Sequence, residues 1–174
     1  MHITEAIILI GHGAVASDTP KALVSELKAL EAQRRARGLS EMSAREAELD
    51  KLIREWPRTR ETDPYKWGLE TLAEKLKARL NGCRLVTAYN EFCAPSLQEA
   101  IKGLVEEGIQ RITLLTTMFT PGGVHSEIEI PQTLQTIRQR YPNVILEYAW
   151  PFDIEYVADF LIGHLERVTP AVNR

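Results

Sequence analysis

Four short apolar runs, separated by amphipathic stretches, dominate the pattern of hydrophobic and polar positions along the chain. The runs cover residues 7–10, 85–89, 112–118 and 144–150, and they are rich in aliphatic, β-branched or aromatic side chains. Continuous apolar runs of this length are typical of strands that are buried on both faces of a parallel sheet. The pattern therefore predicts four such strands.

Helical periodicity fills the segments between and after these runs. Asp63 followed by Pro64 predicts a helix start, and a stripe of leucines continues from there towards Gly82. Three further helices are predicted, over residues 95–107, over about 130–140 and after Asp153. Because strand and helix alternate, we predict an α/β fold of three layers, in which helices flank a four-stranded parallel sheet joined by right-handed crossovers.

One segment, at about residues 22–62, departs from this alternation. Residues 26–61 hold nine basic and eight acidic side chains, and two sparse apolar stripes are separated by Gly38 and by a capping box of Ser43 and Glu46. We predict a helical hairpin inserted into a single domain that covers residues 1–174. A solvated surface hairpin or a dimer contact without a chemical role is an equally good interpretation.

Composition narrows the class of protein. The length of 174 residues corresponds to about one domain, and 44% hydrophobic with 26% charged residues is ordinary globular usage. A net charge of -3 argues against nucleic acid as a partner. The absence of an apolar run of roughly 20 residues or of a signal-peptide pattern leads us to expect a cytoplasmic protein that does not engage a membrane. Cys83 and Cys93 match no metal or disulfide motif, so reduced thiols are expected.

Polar side chains follow three of the predicted strands. They are His12 after the first strand, Glu91 after the second and His125 after the third. Because the carboxyl ends of parallel strands meet at one edge of a sheet, we expect these three side chains at the same rim. Imidazole and carboxylate ligands suit Fe, Co, Ni or Zn. The sequence therefore predicts a cleft that handles a divalent metal ion.

Glycines accompany both histidines, namely Gly11, Gly13, Gly122 and Gly123. Their lack of a side chain would let a large flat ligand approach the backbone. The other two histidines, His2 and His164, are expected to be structural or exposed. The chain has neither a phosphate-binding loop of the GxxxxGK[ST] type nor a GxSxG motif, which argues against nucleotide and serine hydrolase chemistry.

Each of these polar residues also has a simpler interpretation. His12 and His125 could be hydrogen-bonded loop residues, and Glu91 could cap the following helix. Glu127 and Glu129 could be solvent-facing acids of a first helical turn. Glu129 lies four residues after His125, however, so the two side chains could share one face if the helix begins early.

Three blocks of the sequence carry a resemblance to a known family. They read AIILIGHG, AYNEFCAPSLQEAIKGLVEEG, and MFTPGGVHSEIEIPQTL followed by RQRYPNVILEYAWPF. The chain resembles the class II tetrapyrrole chelatases, specifically the small single-domain sirohydrochlorin cobalt or iron chelatases. The second block looks like the Glu-x-x-x-Pro-Ser-Leu segment of that family, and the third is similar to its Gly-x-His and Asp-Ile-Pro signature.

The resemblance implies a chelatase-like fold, which corresponds to one flavodoxin-like half. It also implies a reaction, the insertion of cobalt, iron or nickel into a sirohydrochlorin-type tetrapyrrole for cobalamin or sirohaem biosynthesis. It implies that His12, His125 and Glu91 handle metal and protons, and that the four glycines lie against the tetrapyrrole. The metal would be a substrate, so no tightly bound cofactor is expected. The family also implies a homodimer.

The chain departs from the family at several positions, which leaves the tetrapyrrole open. Ala14 and Val15 stand where the family has serine and arginine, Glu129 replaces aspartate, and the hairpin is long. A non-catalytic tetrapyrrole or metal carrier, an interaction module that uses the charged hairpin, and a protohaem-type ferrochelatase are the alternatives. The sequence does not choose between metals, nor does it assign metal binding to one histidine and proton uptake to the other.

A tetrapyrrole with many carboxylates needs basic partners on a net acidic protein. Arg54, Arg58 and Arg60 cluster near the end of the hairpin, close in sequence to Trp56 and Trp67. One hypothesis is a lid in which the arginines pair with carboxylates and the aromatic rings cover the macrocycle. The simpler interpretation is a solvated helix end.

Overall fold

A computed structural model of the chain describes residues 4–169. Its strands are β1 (Glu5–Gly11), β2 (Arg84–Tyr89), β3 (Arg111–Thr116) and β4 (Ile145–Tyr148). Its helices are α1 (Lys21–Ala36), α2 (Ala44–Arg54), α3 (Pro64–Lys77), α4 (Leu97–Glu106), α5 (Ile130–Arg140) and α6 (Ile154–Val168), with a short π-helix over His125–Glu129.

The four strands form one parallel sheet in the order β2-β1-β3-β4. Ile8 of β1 stands opposite Val86 of β2 on one side and Leu114 of β3 on the other. The carboxyl ends of β1, β2 and β3 therefore lie side by side, since β1 runs between the other two. The predicted parallel sheet and its four strands are confirmed.

Both faces of the sheet carry helices, because alternate residues of each strand point to opposite sides. On one face Ile8, Ile10 and Leu114 pack with residues of α4 and α5 in the larger core. On the other face Leu9 and Leu85 pack under α3. The predicted three-layer arrangement is confirmed.

The inserted hairpin has a small core of its own. Leu27 of α1 and Leu49 and Ile53 of α2 are fully buried, and Phe92 from the loop after β2 packs against them. The expected capping box of Ser43 and Glu46 starts α2. The hairpin is thereby joined to the loop that follows β2.

The helix starts follow local capping signals. Asp63 accepts the backbone N–H of Lys66 at the start of α3, and Asp153 caps α6. The helix predicted from residue 95 begins at Leu97 instead, because Ser96 and Glu99 form a capping box there. The prediction for α5 omitted a turn, since helical structure begins five residues earlier as the π-helix.

Two further predictions concern cysteines and membranes. Cys83 and Cys93 are both free, and burial raises the pKa of the Cys93 thiol. Between residues 4 and 169, no helix combines the length and the apolar character that crossing a bilayer requires.

Candidate metal centre

Three strand ends bring His12, Glu91 and His125 together at the carboxyl edge of the sheet. His12 follows β1 directly, Glu91 lies two residues beyond β2, and His125 opens the π-helix after β3. One potential ligand atom from each side chain lies within 4.8 Å of the others. The convergence predicted from the strand ends is found, and two imidazoles with one carboxylate form a three-donor set that leaves coordination positions open.

The His12 ring is oriented by its own loop. Its Nδ1 lies 2.8 Å from the carbonyl oxygen of Gly13, and since a carbonyl only accepts, Nδ1 carries the hydrogen. In the neutral ring Nε2 then keeps its lone pair, and this nitrogen lies 3.9 Å from Glu91 Oε2. The backbone N–H of His12 donates to the Tyr65 hydroxyl oxygen at 2.7 Å. Tyr65 is a positioning residue that the sequence pattern showed only as part of a helix.

The His125 ring stands edge-on to the His12 ring, with the centroids 4.7 Å apart and an angle of 82° between the planes. His125 Nδ1 lies 2.7 Å from Glu129 Oε2. The two residues open and close the π-helix, in which the N–H of Ile130 donates to the carbonyl of His125. The shared face that the spacing of four residues suggested is present. Single π-turns occur frequently at functional sites.

Asn90 and Arg35 complete the surroundings of Glu129. Asn90 Nδ2 donates to Glu129 Oε2 at 3.0 Å and lies 2.8 Å from His125 Nδ1. Arg35, from the end of α1, donates to Glu129 Oε1 at 3.2 Å. Burial raises the pKa of Glu129, but the hydrogen bonds from His125 and Asn90 outweigh it, so the pKa of this carboxyl lies below its ordinary value.

Neither Asn90 nor Arg35 is among the site residues that the sequence predicts. Asn90 stands at a strand end beside Glu91, so its position was a usable signal. Arg35 is one of many charges on the hairpin, and nothing local distinguishes it.

Glu91 does not cap the helix that follows it, since Ser96 and Glu99 perform that role. Its backbone N–H donates to the carbonyl of His12 at 2.8 Å, which ties the first two loops together. The next residue, Phe92, has a φ of 57°, a left-handed conformation that costs a bulky residue free energy. The packing of Phe92 against the hairpin core holds this loop in place.

The lid predicted from Arg54 and Arg58 is wrong, because both guanidinium groups are bound within the protein. Arg54 donates to the carbonyl oxygens of Tyr89, Asn90 and Cys93. Arg58 pairs with buried Asp63 and donates to the carbonyls of Ala14, Ile53 and Phe92. The two arginines fasten the hairpin to the loops that carry the site.

The other members of the predicted lid lie elsewhere. Trp56 Nε1 donates to Asp18 at 3.2 Å. Arg60 and Trp67 line a separate groove of about 640 Å³ beside β2.

Two of the four glycines predicted to lie against the ligand, Gly11 and Gly13, are explained by the packing of the protein itself. A β-carbon at Gly13, whose φ is 92°, would collide with the carbonyl oxygen of Glu91, and one at Gly11 would lie 2.7 Å from Leu69. At both positions the protein itself occupies the space where a side chain would lie. Gly122, with a φ of 87°, faces open space, whereas a β-carbon at Gly123 would press on Ser126.

Glu127, His164 and His2 are the other acidic and histidine residues considered in the sequence. Glu127 is exposed and accepts the backbone N–H of Gly122. His164 is exposed on α6, as expected, and His2 lies outside the described residues.

A cleft of about 810 Å³ adjoins the cluster, between the hairpin and the start of α5. Asn90, Glu91 and Glu129 are among the residues that line it. Four exposed apolar side chains line it as well, Leu39 and Met42 from the hairpin and Val124 and Ile128 from the π-helix region. Its volume is within the range of roughly 300–1,000 Å³ that is usual for small-molecule sites.

Comparison with known proteins finds a matching family model and curated relatives. The family model named CbiX matches residues 60–165. A sirohydrochlorin ferrochelatase of Priestia megaterium is 26% identical over 93 residues, which is 53% of this chain and 35% of that protein. A sirohydrochlorin cobaltochelatase of the same organism is 31% identical over 68 residues, 39% of this chain and 22% of that protein. The chain thus spans well under half the length of the curated relatives it matches.

Two solved structures share the fold. SirB from Bacillus subtilis, determined with Fe3+, superposes with a TM-score of 0.55 at 17% identity, over 95% of this chain and 48% of SirB. A CbiX protein from Marinobacter aquaeolei VT8 superposes with a TM-score of 0.53 at 16% identity, over 94% of this chain and 97% of that one.

Proposed function

The chain belongs to the CbiX family, and on that premise we propose that it inserts a divalent metal ion, cobalt or iron, into a sirohydrochlorin-type tetrapyrrole. The observation that carries the proposal is the convergence of His12, Glu91 and His125 from three separate strand ends. The relatives named for sirohydrochlorin chelation support the same reaction class.

The reaction exchanges protons for a metal ion. A free tetrapyrrole carries two pyrrole N–H groups, and both protons leave as the dication binds the four ring nitrogens. The site therefore needs a donor set that delivers the metal and groups that accept protons. Neutral imidazoles can do either near neutral pH, and the Glu91 carboxylate offsets the charge of the incoming ion.

The metal is a substrate in this scheme, so it has to leave the protein. Two histidines and one carboxylate hold an ion while leaving positions for the ring nitrogens, whereas a closed four-ligand site would retain it. No tightly bound cofactor is part of the proposal.

We place the tetrapyrrole in the cleft between the hairpin and α5. The apolar side chains of Leu39, Met42 and Ile128 suit the face of a planar ring. Lys51 and Arg35 supply exposed positive charge for its carboxylates, and the five N–H donors of Arg35 can serve a ligand and Glu129 together.

An absorbance assay under anaerobic conditions tests this function. Purified protein is mixed with sirohydrochlorin and with Co2+, Fe2+ or Ni2+ in turn, and formation of the metallated ring is followed against a protein-free control. Acceleration with at least one metal is expected. Binding of the tetrapyrrole without acceleration would make the protein a carrier, and absence of binding would contradict the proposal.

The proposal includes a homodimer, which the exposed apolar side chains of helix α6 support. None of its residues is buried, and Tyr156, Phe160 and Ile162 are among its exposed apolar side chains. On the sheet face that carries α3, the residues of β3 and β4 are half-buried or exposed, and they include Thr113, Leu115 and Ile145. We propose that α6 of each chain covers this half of the partner's sheet.

A further inference from the structure

The Glu129 carboxylate lies behind His125, at the centre of a hydrogen-bonded group that also includes Asn90 and Arg35. Its Oε2 is 2.7 Å from His125 Nδ1 and 3.0 Å from Asn90 Nδ2. Its Oε1 is 3.2 Å from Arg35. Both carboxylate oxygens are thus committed, and the three partners come from different elements, namely the π-helix, the loop after β2 and the end of α1.

The contacts of the Glu129 carboxylate indicate where the His125 hydrogen lies. The Arg35 guanidinium donates to Oε1 and the Asn90 amide donates to Oε2, so the carboxylate is already the acceptor for a cation and for an amide N–H. An ionised carboxylate can only accept, so Nδ1 of His125 must carry the ring hydrogen. Asn90 Nδ2 also lies 2.8 Å from Nδ1, and both nitrogens direct a hydrogen to the same oxygen.

We infer that Glu129 is a positioning residue that fixes the His125 proton on Nδ1, so that Nε2 is the nitrogen that binds the transiting metal. The inference rests on the proposed function and deepens it. His12 has the equivalent arrangement, since Gly13 accepts the hydrogen of its Nδ1. Both imidazoles then offer Nε2, and neither must rearrange its proton before a metal arrives.

The inserted hairpin contributes to this arrangement through its arginines. Arg35 is the hairpin's contact with Glu129, and Arg54 and Arg58 hold the hairpin against the loops that carry Asn90 and Glu91. A group that orients a ligating histidine typically changes metal affinity by about 10–100-fold when it is removed.

Nuclear magnetic resonance of protein labelled with ¹⁵N at histidine reads the ring hydrogen directly. The His125 signals are assigned by their absence in His125→Ala. We expect wild-type His125 to carry its hydrogen on Nδ1 when it is neutral. Glu129→Met, which has no acceptor, should lose this preference, whereas Glu129→Gln should keep it because its amide oxygen still accepts. Glu127→Met, an acid on the same turn without contact to His125, is the matched control.

Titration with Co2+ alone, followed by its visible spectrum, supplies the second readout. Glu129→Met should bind Co2+ about 10–100-fold more weakly with an altered spectrum, Glu129→Gln should lose less, and the control should match wild type. A hydrogen on Nε2 in wild-type His125, or unchanged Co2+ affinity in Glu129→Met, would overturn the inference. Neither readout needs a tetrapyrrole, so failure of the chelatase assay alone would count against the proposed function and leave the proton position standing.

Discussion

His12 exposes 41% of its side chain and His125 exposes 25%, so neither ring is part of the hydrophobic core. Each ring is held through Nδ1 by a group of the protein, while its backbone is fixed by the sheet edge. Substitutions at these two positions therefore probe chemistry more than folding.

We expect His12→Ala and His125→Ala each to reduce the rate of metal insertion by at least about 100-fold, because each removes an imidazole whose Nε2 binds the metal and can accept a proton once the metal has moved to the ring nitrogens. The measurement is the anaerobic absorbance assay with the most active metal. His164→Ala, an exposed histidine on α6, is the control and should retain the wild-type rate. Wild-type rates in both variants would reject the assigned roles.

A comparison of Gly13 with Gly122 distinguishes the effect of backbone strain from that of a steric collision. Both residues have a φ near 90°, but of the two only Gly13 has protein atoms where a side chain would lie. Gly13→Ala should lower the free energy of unfolding by clearly more than the roughly 1 kcal/mol expected from the left-handed conformation alone, which Gly122→Ala should show. Urea denaturation of both variants measures the difference. Equal losses would mean that the loops of His12 and Glu91 do not pack as described.

At the scale of elements, the hairpin and the sheet are joined by a few buried polar contacts. Arg58 and Asp63 form an ion pair whose side chains are almost completely buried, and the two terminal nitrogens of Arg58 also donate to the carbonyls of Ala14 and Phe92 in the site loops. A buried charge is costly unless it is paired and hydrogen-bonded, so each partner depends on the other.

Removal of either Arg58 or Asp63 should therefore strongly destabilise the folded protein. Arg58→Met should lower the free energy of unfolding by about 3–5 kcal/mol, because it leaves Asp63 buried and unpaired. Chemical denaturation gives this value, and proteolysis of the native state should show faster cleavage in the hairpin. Arg60→Met removes the same charge at an exposed position and should change stability by less than about 0.5 kcal/mol. Similar losses in both variants would show that the ion pair does not fasten the hairpin.

At the scale of the whole molecule, α6 and the sparsely covered half of the sheet lie in the same chain. An amphipathic helix normally buries its apolar face, and large exposed apolar patches mark interaction surfaces. Phe160 exposes 65% of its surface, so a polar residue fits there in a monomer without disturbing the core.

Phe160→Glu should shift the protein from dimer to monomer, because it would bury a charge between α6 and the partner's sheet. Sedimentation velocity over a range of concentrations measures the mass. Glu155→Gln, at an exposed polar position of the same helix, should leave the dimer intact. A wild-type protein that remains monomeric at high concentration would contradict the dimer proposal.

Much of the fold was predictable because its signals are local. The apolar runs marked the four strands, and the caps at Asp63, Ser43 and Asp153 marked helix starts, since both depend on neighbouring residues. The strand ends also predicted the meeting of His12, Glu91 and His125, because parallel topology brings carboxyl ends to one edge.

The sequence by itself thus determined the α/β class, the inserted hairpin and the meeting of His12, Glu91 and His125 at one edge of the sheet. Only the tertiary structure decided that Arg54 and Arg58 face inward, that Gly13 packs against Glu91, and that Arg35 reaches Glu129. These contacts join residues far apart in the chain. The direction of such a side chain is set by what the fold packs around it, and no local pattern of residues encodes that.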